Sequence, residues 1–296
     1  MFNSLKENTL SFRTELIYQI NKLLYKISPL NISVSSIEET LDQIILNKSS
    51  VIRFGDGEIM SILGENIQFQ KYDKTLSQRL ESLISMDSSK DMLVCLPDIF
   101  SDIEKYNPKS KKLWAAHRRK FYSFYRKHCV KKEYGNAFIS RPYYIFKDKS
   151  DSNAKFAKLK KLWEEEDILI VEGKNSRSGV GNDLFLNSKS ISRIICPSVN
   201  AFTKYDEILE KVKIAGEKKL ILLMLGPSAT IMAYDLNESD YWAIDLGHID
   251  SEYEWYKRSA TKKIKIPNKH TAEFEDTEND TFVDKKYQEE IIYEIK

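Results

Sequence analysis

Cysteine, proline and glycine are all scarce in this 296-residue chain, which contains 3, 7 and 10 of them. Cys95, Cys129 and Cys196 are odd in number, widely spaced and without a CxxC pair, which excludes a disulfide framework and points to a reducing, cytoplasmic setting. So little glycine and proline excludes collagen-like and low-complexity architectures. Long apolar runs are missing too: the longest, Leu220 to Leu225, is far too short to span a bilayer. The opening residues MFNSLKENTLSF lack the basic and apolar regions of a secretory signal. Charge of one sign is absent as well, since 46 Lys+Arg against 44 Asp+Glu leave +2. No global field draws nucleic acid or anionic lipid, and polyanion binding would need a local patch. What is present, 42% hydrophobic and 30% charged residues, describes a globular chain long enough to bury a sizeable core.

Two helical stripes come first, Phe12, Leu16, Ile20, Leu23, Leu24 and Ile27, then Ile37, Leu41, Ile44 and Ile45. The first is expected to pack on the domain or on a partner subunit. The second is capped by Ser35 with Glu38 or by Ser36 with Glu39. From residue 51 short apolar runs alternate with helical periods: 51–54, 92–96, 168–171, 191–196, 220–225 and 241–246, with helices at 73–85 and 203–214 between them. The runs are continuous, as strands buried on both faces should be. This predicts an α/β fold, a doubly wound, mostly parallel sheet with a helical N-terminal addition. The division expected is an extension at 1–34, a catalytic-type domain at 35–261 and a peripheral extension at 262–296.

In open α/β sheets ligands bind beyond the carboxyl ends of the strands, and seven of the ten glycines lie in four segments just after such runs. After the first run come Gly55, Asp56, Gly57 and Glu58. Two carboxylates across a glycine suit Mg²⁺ or Mn²⁺ shared with phosphate oxygens, or else form an ordinary Asp-Gly turn with Glu58 on a helix N-terminus. The stretch 172–183 holds Lys174, Arg177, Gly179, Gly181, Asn182 and Asp183, which suits a diphosphate or is a charged surface loop. Gly226, Ser228 and Thr230 belong to a GPSAT turn that opens a helix, either an anion seat or simple capping. His248, Asp250 and Glu252 follow the last run, where a general base and its orienter could stand, or where acids merely satisfy a helix dipole.

The stretch 105–132 interleaves eleven Lys and Arg with Trp114, Phe121, Tyr122, Phe124 and Tyr125. Stacked aromatics and cations of this kind suit RNA, while aromatics packed inward beneath a solvated basic face are the commoner source of such a pattern. A non-catalytic nucleotide- or RNA-binding module is therefore the rival to an enzyme, and a phosphate-hydrolysing enzyme using the same carboxylates is a second.

Taken together, RFGDGE (53–58), SRPY (140–143), VEGKNSRSGVGNDLF (171–185), GPSAT (226–230) and DLGHIDSEYEW (245–255) resemble the GT-D-type glycosyltransferases, long carried as a bacterial domain of unknown function. The resemblance runs from about residue 35 to 260. It implies a Rossmann-like catalytic domain that takes a UDP-sugar, uses a divalent metal through Asp56 and Glu58, and adds a hexose, glucose first, to a glycan acceptor with inversion. The setting it implies is bacterial surface glycosylation, the acceptor being carried on a glycoprotein or a lipid-linked precursor, with no nucleic acid partner and with self-association left open. Arg53, Gly55, Arg141, Lys174, Arg177, Gly179, Gly181, Asn182, Asp183, Gly226, Ser228 and Thr230 are then the donor-binding residues. Glu252 is the first choice for the general base, ahead of Asp250, with His248 as the other candidate.

Overall fold

Branched apolar residues fill the strands because most strands are covered on both faces. The computed structural model describes residues 2–129, 133–271, 274 and 284–296, with side chains from residue 13 onward. Nine strands are present among them: β1 (Ser33–Val34), β2 (Ser50–Arg53), β3 (Met92–Leu96), β4 (Glu133–Asn136), β5 (Asp167–Gly173), β6 (Ser190–Cys196), β7 (Leu220–Met224), β8 (Ala243–Asp245) and β9 (Ile291–Glu294). They form one sheet in the order β1-β4-β3-β2-β8-β7-β5-β6-β9, and every pairing is parallel. β3 and β7 are buried along their whole length, which is why their sequences show no alternation.

The helices are α1 (Phe2–Ile27), α2 (Ile37–Asn47), α3 (Asp56–Ile62), α4 (Lys74–Ile84), α5 (Pro108–Lys120), α6 (Tyr122–His128), α7 (Ser152–Lys160), α8 (Tyr205–Ala215), α9 (Pro227–Asn237), α10 (Ile249–Lys257) and α11 (Lys285–Glu290). Of the two capping pairs the sequence offers for α2, the structure uses Ser36 and Glu39: Glu39 N donates to Ser36 Oγ at 3.1 Å and Ser36 N donates to Glu39 Oε2 at 2.8 Å. The chain leaves β2 toward β3 on one side and returns as β8 on the other. The carboxyl ends of β2 and β8 therefore diverge into a crevice, the usual ligand position in such sheets.

Three strands escape the sequence pattern. β1 has two residues, β4 reads Glu-Tyr-Gly-Asn, and β9 is a half-exposed edge strand. The first helical stripe does not pack on its own domain, one of the two placements expected for it. Leu16, Ile17, Ile20, Leu23 and Ile27 are exposed, and the contact with α5 runs instead through Tyr18 and Tyr25. Tyr18 donates to Glu104 at 2.7 Å, Tyr25 donates to the Phe100 carbonyl at 2.9 Å, and the Arg118 guanidinium lies over the Tyr25 ring. Phe12 has its side chain outside the described residues.

Candidate active site

A cleft of ≈ 490 Å³ opens at the carboxyl ends of β2, β5, β6, β7 and β8. Its floor is a buried ion pair between β2 and β8. Arg53 donates from Nε to the Asp245 carbonyl at 2.6 Å and from Nη2 to Asp245 Oδ1 at 2.7 Å, and its Nη1 reaches Ser140 Oγ at 2.6 Å. Burial raises the Asp245 pKa and the Arg53 charge opposes that rise. Gly247 has φ +48°, and a Cβ there would collide with the Arg53 guanidinium, so both the turn and the ion pair require glycine.

Asp56 and Glu58 stand at the start of α3 and line the cleft, Asp56 exposed and Glu58 half-buried. Glu58 Oε2 accepts a hydrogen bond from Gly55 N at 2.7 Å, the capping role foreseen as the alternative. Its pKa is nevertheless raised to about 7, first by burial and then by the nearby Asp245 carboxylate. A carboxylate whose ionisation is disfavoured by burial and by a second carboxylate is one whose charged form a divalent cation would favour, so the donor chemistry fits Mg²⁺ or Mn²⁺. Among the described residues no group of three or more His, Cys, Asp or Glu side chains converges as a ready-made metal cage. Such an ion would therefore draw further ligands from substrate oxygens or water, as Mg²⁺ commonly does.

The later motifs divide into cleft residues and braces. Gly226 lines the cleft at φ +54°, where a Cβ would strike Phe69. Ser228 and Thr230 lie deeper: Ser228 Oγ is buried without a hydrogen bond among the described residues, and Thr230 Oγ1 donates to the Arg53 carbonyl at 3.0 Å. From the glycine-rich segment Gly173, Ser176 and Ser178 reach the cleft, whereas Lys174, Arg177, Gly179, Gly181, Asn182 and Asp183 do not. Lys174 is exposed near Glu294, and Arg177 donates to the Asn268 carbonyl. Gly179 N and Asn182 Nδ2 donate to Asp250 Oδ1 at 2.7 and 2.9 Å. Asp183 accepts from Lys160 and Tyr253, with Lys257 at 3.1 Å, and these donors hold its pKa far down. The donor-rich loop thus braces α10.

The three base candidates are placed differently from one another. His248 lines the cleft, half-buried, its ring centroid 6.3 Å from that of Phe69. Asp250 also faces the cleft, but Lys269 donates to both its oxygens at 3.0 and 2.8 Å in addition to the two donors from the loop. Glu252 is fully buried and outside the cleft. Its Oε2 accepts from Tyr144 N at 2.9 Å, and Oε1, without a hydrogen bond among the described residues, lies 3.6 Å from Arg141 Nη1. Arg141 does line the cleft.

The basic stretch folds with its aromatics inward. Trp114, Phe121, Phe124 and Tyr125 are buried, and Lys111, Lys112, Lys120 and Lys127 pair with Glu104, Glu15, Glu65 and Glu81. Lys131 and Lys132 lie outside the described residues. No stacking platform of the kind an RNA module needs is exposed among the described residues of this stretch.

Several cleft residues were given no role by the sequence pattern, among them Phe69, Asp245, Lys263 and His270. Asp245 is the last residue of a counted strand and was within reach of the census. Phe69 comes from the loop between α3 and α4, and Lys263 and His270 from the segment expected to be peripheral, where no periodicity flags them.

The sequence model described as "Glycosyltransferase GT-D fold" matches residues 51–274, running past residue 261 into that segment. The chain is 48% identical over 242 residues to a probable glycosyl transferase, Gly, of Streptococcus gordonii, covering 82% of this chain and 36% of that protein. It is 45% identical over 265 residues to the glycosyltransferase GlyD of Streptococcus pneumoniae serotype 4, covering 89% of this chain and 33% of that one. The chain thus spans about a third of the length of these curated relatives. Among solved structures, one described as the highly conserved domain of unknown function 1792 with a distinct glycosyltransferase fold superposes with TM-score 0.88 at 49% identity, covering 90% of this chain and 96% of that one. A new glycosyltransferase of the same domain family from Streptococcus sanguinis gives 0.87 at 46% identity, over 90% of this chain and 100% of that one. Fold, motif order and relatives agree: the chain belongs to the glycosyltransferase family with the GT-D fold.

Proposed function

We propose that this chain transfers a hexose, glucose first among the candidates, from a UDP-sugar to a glycan acceptor with inversion, in the glycosylation of a bacterial surface glycoprotein or polysaccharide. The buried thiols of Cys95, Cys129 and Cys196, none of them in a disulfide, suit the reducing cytoplasm as the place of action. The observation that carries the reading is the cleft itself, where Asp56, Glu58, Arg53 and Arg141 converge from separate parts of the chain beside the positive end of α9. That combination supports recognition of a diphosphate together with a divalent cation.

Asp56 and Glu58 would hold the cation, and bound there it would offset negative charge on the departing diphosphate. Arg53 is fixed by Asp245 and Arg141 is held beside Glu252, so both guanidinium groups are oriented before substrate arrives. In this reading Gly55 and Gly226 let backbone approach the donor, and Gly173, Ser176 and Ser178 replace Gly179 to Asp183 as the loop's share of the site. The base role passes to His248: Glu252 is enclosed, and the Asp250 oxygens are occupied by Lys269, Asn182 and Gly179. The imidazole would take the proton of the acceptor hydroxyl as that oxygen attacks the anomeric carbon and UDP leaves.

The test is product analysis after incubation with UDP-glucose, UDP-galactose and UDP-N-acetyl sugars with and without Mn²⁺, using candidate glycan acceptors. Glycoside formed by the native chain and lost in Asp56→Ala is the expected result. Free sugar alone, or turnover unchanged by the substitution, would remove the proposal.

A further inference from the structure

The segment after α10 returns over the cleft as a strap, and four contacts fix it. Trp255, fully buried, donates from Nε1 to the Ile264 carbonyl at 2.9 Å. Lys269, also buried, bridges Asp250 at 2.8 Å and Glu254 at 3.3 Å. Arg177 donates to the Asn268 carbonyl, and His270 N donates to the Asn175 carbonyl at 2.7 Å. Four anchors on two elements, α10 and the loop after β5, make the 261–271 backbone part of the rigid domain, whatever its lack of regular secondary structure.

The strap carries Lys263 into the cleft. The ammonium lies 5.8 Å from the ring centroids of both Tyr144 and Trp255. Its charge and that of Arg141 both act on the buried Glu252 carboxylate, lowering its pKa against the rise that burial causes. Arg141 lies 3.6 Å from Glu252, which accepts from Tyr144 N, and Lys263 lies beside the Tyr144 ring, so the two cations stand at the same end of the cleft, Arg141 from the turn after β4 and Lys263 from the strap. A point-charge ammonium next to a forked guanidinium is an arrangement suited to the oxygens of a diphosphate.

We infer that Lys263 is a substrate-binding residue, and that the 261–271 strap is the wall of the donor site that presents it with Arg141 to the diphosphate. The inference rests on the donor reading given above and adds a ligand contact from outside the core motifs. Lysine contributes binding energy without a proton transfer, so its removal should weaken affinity rather than shift the pH profile.

The probes are UDP and inorganic pyrophosphate, titrated calorimetrically into the full chain in the presence of Mn²⁺, with Lys263→Met and Lys263→Arg as variants. Loss of one charge-assisted contact should raise the UDP Kd roughly ten-fold in Lys263→Met. Lys263→Arg should recover most of that loss, pyrophosphate should weaken in parallel with UDP, and all three proteins should melt at similar temperatures. A UDP Kd unchanged in Lys263→Met, while the native chain binds UDP, overturns the inference and leaves the donor reading standing. So does a loss that Lys263→Arg fails to recover and that tracks a fall in Tm, since that marks a packing role. A native chain that binds neither probe overturns both readings.

Discussion

Arg53 and Asp245, 192 residues apart in sequence, make a two-point contact through the Asp245 side chain and its own backbone carbonyl. Their side chains are only 14% and 4% exposed. The pair ties the last residue of β2 to the last residue of β8, the two strands whose carboxyl ends bound the crevice. An ion pair at this depth adds little net stability, but removing one partner leaves a buried charge uncompensated. Its use here is positional: it aims a guanidinium at the cleft.

Gly247→Ala tests that positioning without touching either charge. The new methyl would meet the Arg53 guanidinium at a backbone angle that alanine rarely adopts. The expected outcome is destabilisation of about 1–3 kcal/mol by chemical denaturation, with loss of UDP affinity. Asp245→Ala, which strands Arg53, should cost about 3–5 kcal/mol. A Gly247→Ala protein with native stability and affinity would show that the turn does not hold Arg53.

Glu58 supplies a pH prediction. Its folded pKa of about 7 lies above the ordinary 4.5, so the native state binds this proton more tightly than the unfolded chain does. Between those values the unfolded state is the more deprotonated, and this group's contribution makes stability fall as pH rises from about 4.5 to 7. A cation that needs the carboxylate ionised should bind better as pH rises through the same range. The Tm increase caused by Mn²⁺ is thus expected to be larger at about pH 8 than at about pH 6, and Glu58→Gln should abolish the difference. An Mn²⁺ effect independent of pH would remove Glu58 from the metal site.

The sheet was legible in the sequence because parallel strands buried on both faces leave continuous apolar runs, as in Met92–Leu96 and Leu220–Met224. The edge strand β9 was not, since its residues alternate between half-buried and exposed in a charged tail. Asp56, Glu58, Arg53 and Gly226 were found because strand ends point at the crevice. Donor-rich composition alone does not separate Asn182 and Asp183 from cleft residues, because a loop that braces a helix, as theirs does, needs the same residue types as one that binds a phosphate. Lys263 could not be found at all, because only tertiary contacts, such as the Trp255 anchor to Ile264 and the Lys269 bridge to Asp250 and Glu254, bring that stretch back over the site.

The brace makes its own prediction. Lys269 is buried between Asp250 and Glu254, so Lys269→Met removes the cation that bridges the two carboxylates and leaves Asp250 with none, while Glu254 keeps Arg258. The expected cost is about 3–5 kcal/mol, read as a lower denaturation midpoint. Asn182→Ala, which removes donors to the same two carboxylates, should cost less, about 1–3 kcal/mol. If Asn182→Ala instead keeps full stability and selectively loses UDP binding, the glycine-rich loop contacts the donor after all.

The base assignment separates His248 from Glu252 by what each substitution should change. His248→Ala is expected to lower kcat by about 10²–10⁴ while UDP affinity holds, because a general base acts on the acceptor proton and not on the diphosphate. Glu252→Gln keeps the acceptor oxygen that Tyr144 N requires, so the fold should survive. It removes the charge beside Arg141, and its effect should therefore appear in KM for the sugar nucleotide more than in kcat. The measurement is a pair of saturation curves for each variant, with pH profiles of kcat. Should Glu252→Gln flatten the pH profile and abolish turnover while His248→Ala leaves both intact, the enclosed carboxylate would have to reach the acceptor by a rearrangement of the Arg141 side chain, and the imidazole would lose its role.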